Sequence, residues 1–106
     1  MEYTIVVARM MPENAESVRK IWTESDATEL PALLGVKHRR VYQFHGLYFH
    51  LIAAEEGLGS RLADIRANAL FADVNQRLQP YIAAYDPDTW QGPRDAMAKE
   101  FYAWNA

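Results

Sequence analysis

Apolar and polar positions divide this chain into segments of two different periods. From Tyr3 to Met10 both faces are β-prone, with Tyr3, Ile5 and Val7 on one and Thr4, Val6 and Ala8 on the other. No strong polarity enters before Arg9, which predicts an inner strand. After Pro12 the period lengthens. Val18, Ile21, Trp22 and Ser25 recur at helical spacing while Glu13, Glu16, Arg19 and Lys20 take the outer side, predicting a helix that ends near Asp26. Glu29-Leu30-Pro31 reads as a breaker, because the residue before a proline is pushed out of the helical region, and Gly35 reads as the entry to the next strand. Gly35 to Ile52 then reads as two strands joined at His45-Gly46. Glu55 to Gly59 is a turn, and Ser60 is the candidate cap of a second helical region. That region carries Leu62, Ile65, Ala69, Leu70, Val74 and Leu78 at helical spacing up to Pro80, with a break near Asn68. Asp86 to Pro93 is a loop by composition, and aromatic Lys99 to Asn105 is predicted to return as a last short strand.

The resulting order, strand, helix, strand, strand, helix, strand, predicts an α+β fold. A four-stranded antiparallel sheet with two helices on one face satisfies it with right-handed crossovers, the ferredoxin-like βαββαβ arrangement. One sheet face then stays open and apolar, so a homodimer is expected to cover it.

The hairpin is where the pattern departs from simple packing. GVKHRRVYQFHGLYFHLI holds three histidines and two arginines among apolar and aromatic residues. If Phe44 pairs with Leu47 across the turn, Val41 faces His50, and Arg39, Val41 and Gln43 share a face with Tyr48, His50 and Ile52. A turn one residue longer sets His50 with Arg40 and Tyr42 instead. Either register leaves an arginine near His50.

Composition narrows the classes of function. The chain has 106 residues, 50% of them hydrophobic and 24% charged, which fits a single ordered domain over 1–106. A formal net charge of -3, with only Lys37-His38-Arg39-Arg40 locally basic, gives no footprint for nucleic acid or an anionic membrane. With no cysteine there is no thiolate nucleophile and no disulfide framework. The segment MEYTIVVARMM resembles neither a secretion leader nor a membrane span, so a cytoplasmic protein is expected.

The candidate chemistry follows from residue types. His50, set among apolar neighbours, has an imidazole whose ordinary pKa of about 6.5 suits proton transfer at neutral pH. Arg39 carries a planar guanidinium able to hold a developing oxyanion. Asp26, at the expected end of the first helix, is placed to orient one of them. Arg40, Tyr48, Gln43 and Trp22 are the candidate substrate-binding residues, although a tryptophan at helical spacing also serves simple packing. His38 and His45 have weaker cases, and three histidines without a carboxylate at ligand spacing make a poor metal site. No glycine-rich nucleotide fingerprint is present, so no cofactor is expected.

Several segments, taken together and in order, resemble the tetracenomycin-type aromatic polyketide cyclases of bacterial type II pathways over nearly the whole chain. They are Ser25 to Pro31, Gly35 to Arg40, Phe44 to Ile52, Leu70-Phe71 with Val74-Asn75, and Glu100 to Trp104. The resemblance implies a dimeric α/β barrel-like assembly of ferredoxin-like subunits. It also implies a cofactor-independent aldol-type ring closure and dehydration of a poly-β-ketone or partly cyclised aromatic intermediate. Its proposed functional positions fall on Arg39, His50 and Asp26. The best-known member carries a histidine at the position of Ser25, so a proton-transfer role of that histidine does not carry over. Transient contact with the polyketide synthase or an acyl carrier protein is the implied partnership beyond the homodimer and the substrate. The competing readings are a cofactor-independent anthrone-type monooxygenase of the same fold and a non-catalytic polyketide-binding subunit.

Overall fold

The computed structural model describes residues 1–91 and 93–106. Its elements are β1 (Glu2–Arg9), a 3₁₀ turn (Pro12–Asn14) running into α1 (Ala15–Asp26), α2 (Leu30–Leu34), β2 (Val36–Phe44), β3 (Leu47–Ala54), α3 (Leu58–Asp64), α4 (Ala69–Leu78), β4 (Ala83–Ala84) and a 3₁₀ turn (Pro93–Ala96). The sheet is four-stranded in the order β2-β3-β1-β4, with every pairing antiparallel.

The helices bury one face of this sheet. Ala8 from β1, Met10 just after it, and Tyr48 and Ala54 from β3 pack with Val18 and Ile21 of α1, Leu30 and Leu34 of α2, Leu58 of α3, and Val74 and Leu78 of α4. The opposite face carries exposed Tyr3, Ile5, Tyr42 and Phe44, the open apolar surface expected from the strand pattern. The expected hairpin register is also observed, with Phe44 opposite Leu47 and Val41 opposite His50. His45 takes the left-handed conformation in the turn, with φ 54°.

Three local expectations are corrected. Pro31 does not break structure but sits in the first turn of α2, where its missing N–H has no helical partner to lose. Gly35 leads into β2 as expected, and it does so by ending that helix with φ 71°, a left-handed cap natural to glycine. Ser60 lies inside α3, whose N-cap is Gly57, whereas the expected break near Asn68 is real: the Asn68 side chain accepts from the Leu70 and Phe71 amides and caps α4. Finally, Lys99 to Asn105 forms no strand. The β1 edge is taken by Ala83–Ala84 opposite Arg9 and Ala8, then by a Met97 bridge to Val6, which leaves the later aromatics without a ladder partner. Phe101 is 94% exposed, and Tyr102 and Trp104 are also largely exposed. Residues 86–91 of the expected Asp86 to Pro93 loop are free of helix and strand, and Gly92 lies outside the described residues.

A bulge in β2 carries more weight than any of these. Val36 pairs with Ala54 and His38 with Ala53, so Lys37 is an extra residue on that strand. In an unbroken strand Val36 and Arg39, three positions apart, point to opposite faces. The extra residue changes the parity, so Val36 packs on the core while Arg39, opposite Ile52, also faces the helices. At the strand ends Arg61 ties the structure together, its guanidinium donating to the carbonyls of Leu34, Glu55 and Glu56.

Deleting Lys37 leaves Val36 and Arg39 two positions apart, so an unbulged strand keeps both on the helix face. The expected change in stability is under about 1 kcal/mol, from loss of the exposed Lys37–Glu55 ion pair, with the Arg39 contacts described below retained. Chemical denaturation checks this, and a loss of several kcal/mol contradicts it.

Candidate active site

The end of α1 and the bulged half of β2 bring three of the expected residues together against β3. Arg39 Nε donates to both Asp26 carboxylate oxygens, at 3.1 Å (Oδ1) and 3.0 Å (Oδ2), and its Nη2 lies 3.0 Å from Oδ1. Its Nη1 lies 2.7 Å from His50 Nε2. The face of the guanidinium rests on Trp22, with 4.0 Å from its carbon to the ring centroid. Only 11% of the Arg39 side chain is exposed, so the charge is largely withdrawn from water and Asp26 compensates it. Trp22 in turn donates from Nε1 to the Tyr48 hydroxyl at 3.1 Å and tilts against His50, with ring centroids 4.8 Å apart.

Arg39, Val41 and Gln43 on β2 share the helix face with Tyr48 and His50 on β3. The helix layer does not cover all of this face: Val41, directly opposite His50, is 39% exposed, and Gln43 is exposed. Gln43 spends its amide on the turn, donating to the His45 carbonyl at 2.6 Å. Arg40, opposite Leu51, alternates to the open face of the sheet and is not brought to the cluster. Two surface concavities, of about 470 and 410 Å³, lie elsewhere. One runs along Glu16, Arg19 and Lys20 and the other lies between Met10, Gly46 and Tyr81, so neither supplies a wall to Asp26, Arg39 or His50.

Burial sets the protonation states. His50 is 6% exposed, and loss of hydration, reinforced by the Arg39 charge, pushes its pKa down to about 3. The expectation of a histidine titrating in its ordinary range is corrected for that reason: the imidazole is neutral at pH 7. Burial likewise pushes the Tyr48 phenol up to about 12, keeping it protonated. Because a guanidinium carries only donors, His50 Nε2 is the acceptor of the Arg39 contact and the ring proton belongs on Nδ1.

Sequence reasoning missed the bulge, the exposed Val41 shelf and the Trp22 to Tyr48 hydrogen bond. The first left a signal in the parity conflict between Val36 and Arg39. The other two depend on where α1 crosses the sheet, which residue periodicity does not encode.

A histidine whose folded pKa lies below its unfolded value of 6.5 contributes stability that is fully present above pH 6.5 and is lost as pH falls toward 3. The parent is therefore expected to lose more unfolding free energy between pH 7 and pH 4 than His50→Asn, which has no titrating ring. Urea denaturation at the two pH values checks this, and equal losses contradict it.

Comparison with known proteins agrees with this architecture. The family model described as polyketide synthesis cyclase matches residues 2–105. The chain is 41% identical over 102 residues to tetracenomycin F2 cyclase of Streptomyces glaucescens, covering 96% of this chain and 93% of that one. It is 38% identical over 104 residues to the polyketide synthase CurG of Streptomyces cyaneus, covering 98% and 97%. The solved structure of the tetracenomycin F2 cyclase, described there as a type-II polyketide cyclase, superposes with a TM-score of 0.93 at 40% identity, covering 100% of this chain and 99% of that one. A largely buried arginine paired with Asp26 on one sheet face accords with a family match over essentially the full length: the chain belongs to the polyketide synthesis cyclase family and is an enzyme of that kind.

Proposed function

We propose that the protein closes a ring in a poly-β-ketone or partly cyclised aromatic polyketide by an aldol-type step followed by dehydration, without a cofactor. The observation that carries this reading is the fixed Arg39 guanidinium. Asp26 takes its Nε edge and His50 one Nη1 hydrogen, which leaves at least one N–H on each of Nη1 and Nη2 for a substrate oxygen.

The chemistry needs little more. A methylene between two carbonyls is already acidic. Its C–H bond breaks, the proton passes to water, and the electron pair moves onto a carbonyl oxygen held by Arg39. The enolate carbon then attacks a second carbonyl carbon of the same molecule, whose oxygen takes up a proton. Loss of that hydroxyl with a neighbouring hydrogen, as water, makes the ring aromatic. Holding the two reacting carbons in contact accounts for up to about 7–11 kcal/mol of barrier lowering. The Val41 shelf, with Tyr48 and Gln43 beside it, is the surface on which such a substrate lies. The neutral sum of Asp26 and Arg39 favours a carbonyl oxygen over a carboxylate or phosphate.

The assembly we propose is a homodimer of ferredoxin-like subunits forming an α/β barrel-like unit, supported by the exposed Tyr3, Ile5, Tyr42 and Phe44 on the uncovered face. Arg40 lies on that face and would meet the second copy rather than the reacting carbons. The substrate arrives free or on an acyl carrier protein, with which contact is transient.

Purified protein mixed with a partly cyclised polyketide precursor, with and without oxygen, is expected to give oxygen-independent loss of one water and a single regioisomer by mass spectrometry. Arg39→Ala is expected to lower kcat/KM by about 100-fold. Asp26→Asn, which keeps the guanidinium but loosens its orientation, is expected to cost about 10-fold. Oxygen-dependent gain of oxygen, or binding without turnover, contradicts the reading.

A further inference from the structure

We infer that His50 serves the reaction as a neutral hydrogen-bond donor, presenting Nδ1–H to a substrate carbonyl oxygen, and not as the base that removes the carbon-bound proton. The inference rests on the cyclase reading for its substrate but on geometry for its direction. The lone pair a histidine base would use at Nε2 is already occupied, since Arg39 Nη1 lies 2.7 Å away and has only hydrogens to offer. With Nε2 accepting, the one ring proton sits on Nδ1. Among the described residues Nδ1 has no protein hydrogen-bond partner, and no side-chain nitrogen or oxygen is both fully buried and unpartnered, so Nδ1 is not sealed from solvent. The layer is open beside it at Val41, directly opposite on β2.

The surroundings keep this direction fixed. Asp26 holds Arg39 from α1, so the guanidinium cannot turn away and free Nε2. Trp22 packs on both the guanidinium and the imidazole, which restrains ring rotation. Tyr48, on the same face two residues before His50, already accepts from Trp22 Nε1, which leaves its own hydroxyl hydrogen as a donor. The cluster thus offers the spare Arg39 N–H groups and His50 Nδ1–H: donors that polarise carbonyls and hold an enolate oxygen. The proton leaving carbon goes to water, drawn off by the acidity the donors confer.

Two measurements test this. Nitrogen NMR of the parent labelled in histidine, without substrate, is expected to place the His50 proton on Nδ1; a proton on Nε2 overturns the inference whatever the substrate. In turnover, the Asn amide reaches about as far as Nδ1, so His50→Asn is expected to recover part of what His50→Ala loses, where Ala falls by about 100-fold or more. An Asn variant that folds yet is no better than Ala overturns the donor role. A parent that cyclises no polyketide overturns the cyclase reading alone, because the ring-nitrogen spectrum is read without substrate and still decides where the proton sits.

Discussion

A largely buried guanidinium organises this molecule. Removing Arg39 from water is tolerable only because Asp26 meets its Nε edge with both carboxylate oxygens and Trp22 covers one face of its plane. Those partners exist at the right place for separate reasons. Asp26 is the last residue of α1, a helix docked by Val18 and Ile21, so the carboxylate is carried to the sheet by apolar packing. Arg39 reaches the same face because the hairpin register sets it opposite Ile52, and the Lys37 bulge lets Val36 keep its core position on that face as well. Helix end and hairpin register therefore act jointly, and the loss of either leaves an uncompensated charge in a poorly hydrated layer.

The same burial governs the chemistry. Desolvation and the neighbouring guanidinium keep His50 uncharged at neutral pH, so the cluster has one cation, one anion and one neutral ring. Such a group has little attraction for a free anion. It is suited to a neutral, oxygen-rich molecule whose charge appears only as the reaction proceeds, which is the requirement for enolate formation in a polycarbonyl chain. Family membership and electrostatics arrive at this class of substrate by independent routes.

Much of the fold was legible in the residue pattern, and the reasons differ by element. The hairpin register followed from a single turn signal, because fixing Phe44 against Leu47 fixes every later pair and sets Arg39 beside His50. The end of α1 and the break at Asn68 were readable because each is a local matter of spacing and capping. Local reasoning failed where a tertiary partner decides. Pro31 begins a short helix because Leu30 and Leu34 find the core, and Ala83–Ala84 becomes the edge strand because it meets β1 before the more strand-prone Lys99 to Asn105 can. The pKa of His50 was misjudged for a related reason, since burial is a property of the packed layer and not of the residue.

The role of the donor cluster is tested most directly by the infrared carbonyl stretch of an unreactive 1,3-dicarbonyl aromatic ligand bound to the protein. A shift to lower frequency relative to water is expected for the carbonyl seated on the cluster, with much of that shift gone in Arg39→Ala. A bound carbonyl whose frequency matches water, or a shift unaffected by removing Arg39, would contradict the claim that a pre-oriented set of donors is what this structure contributes.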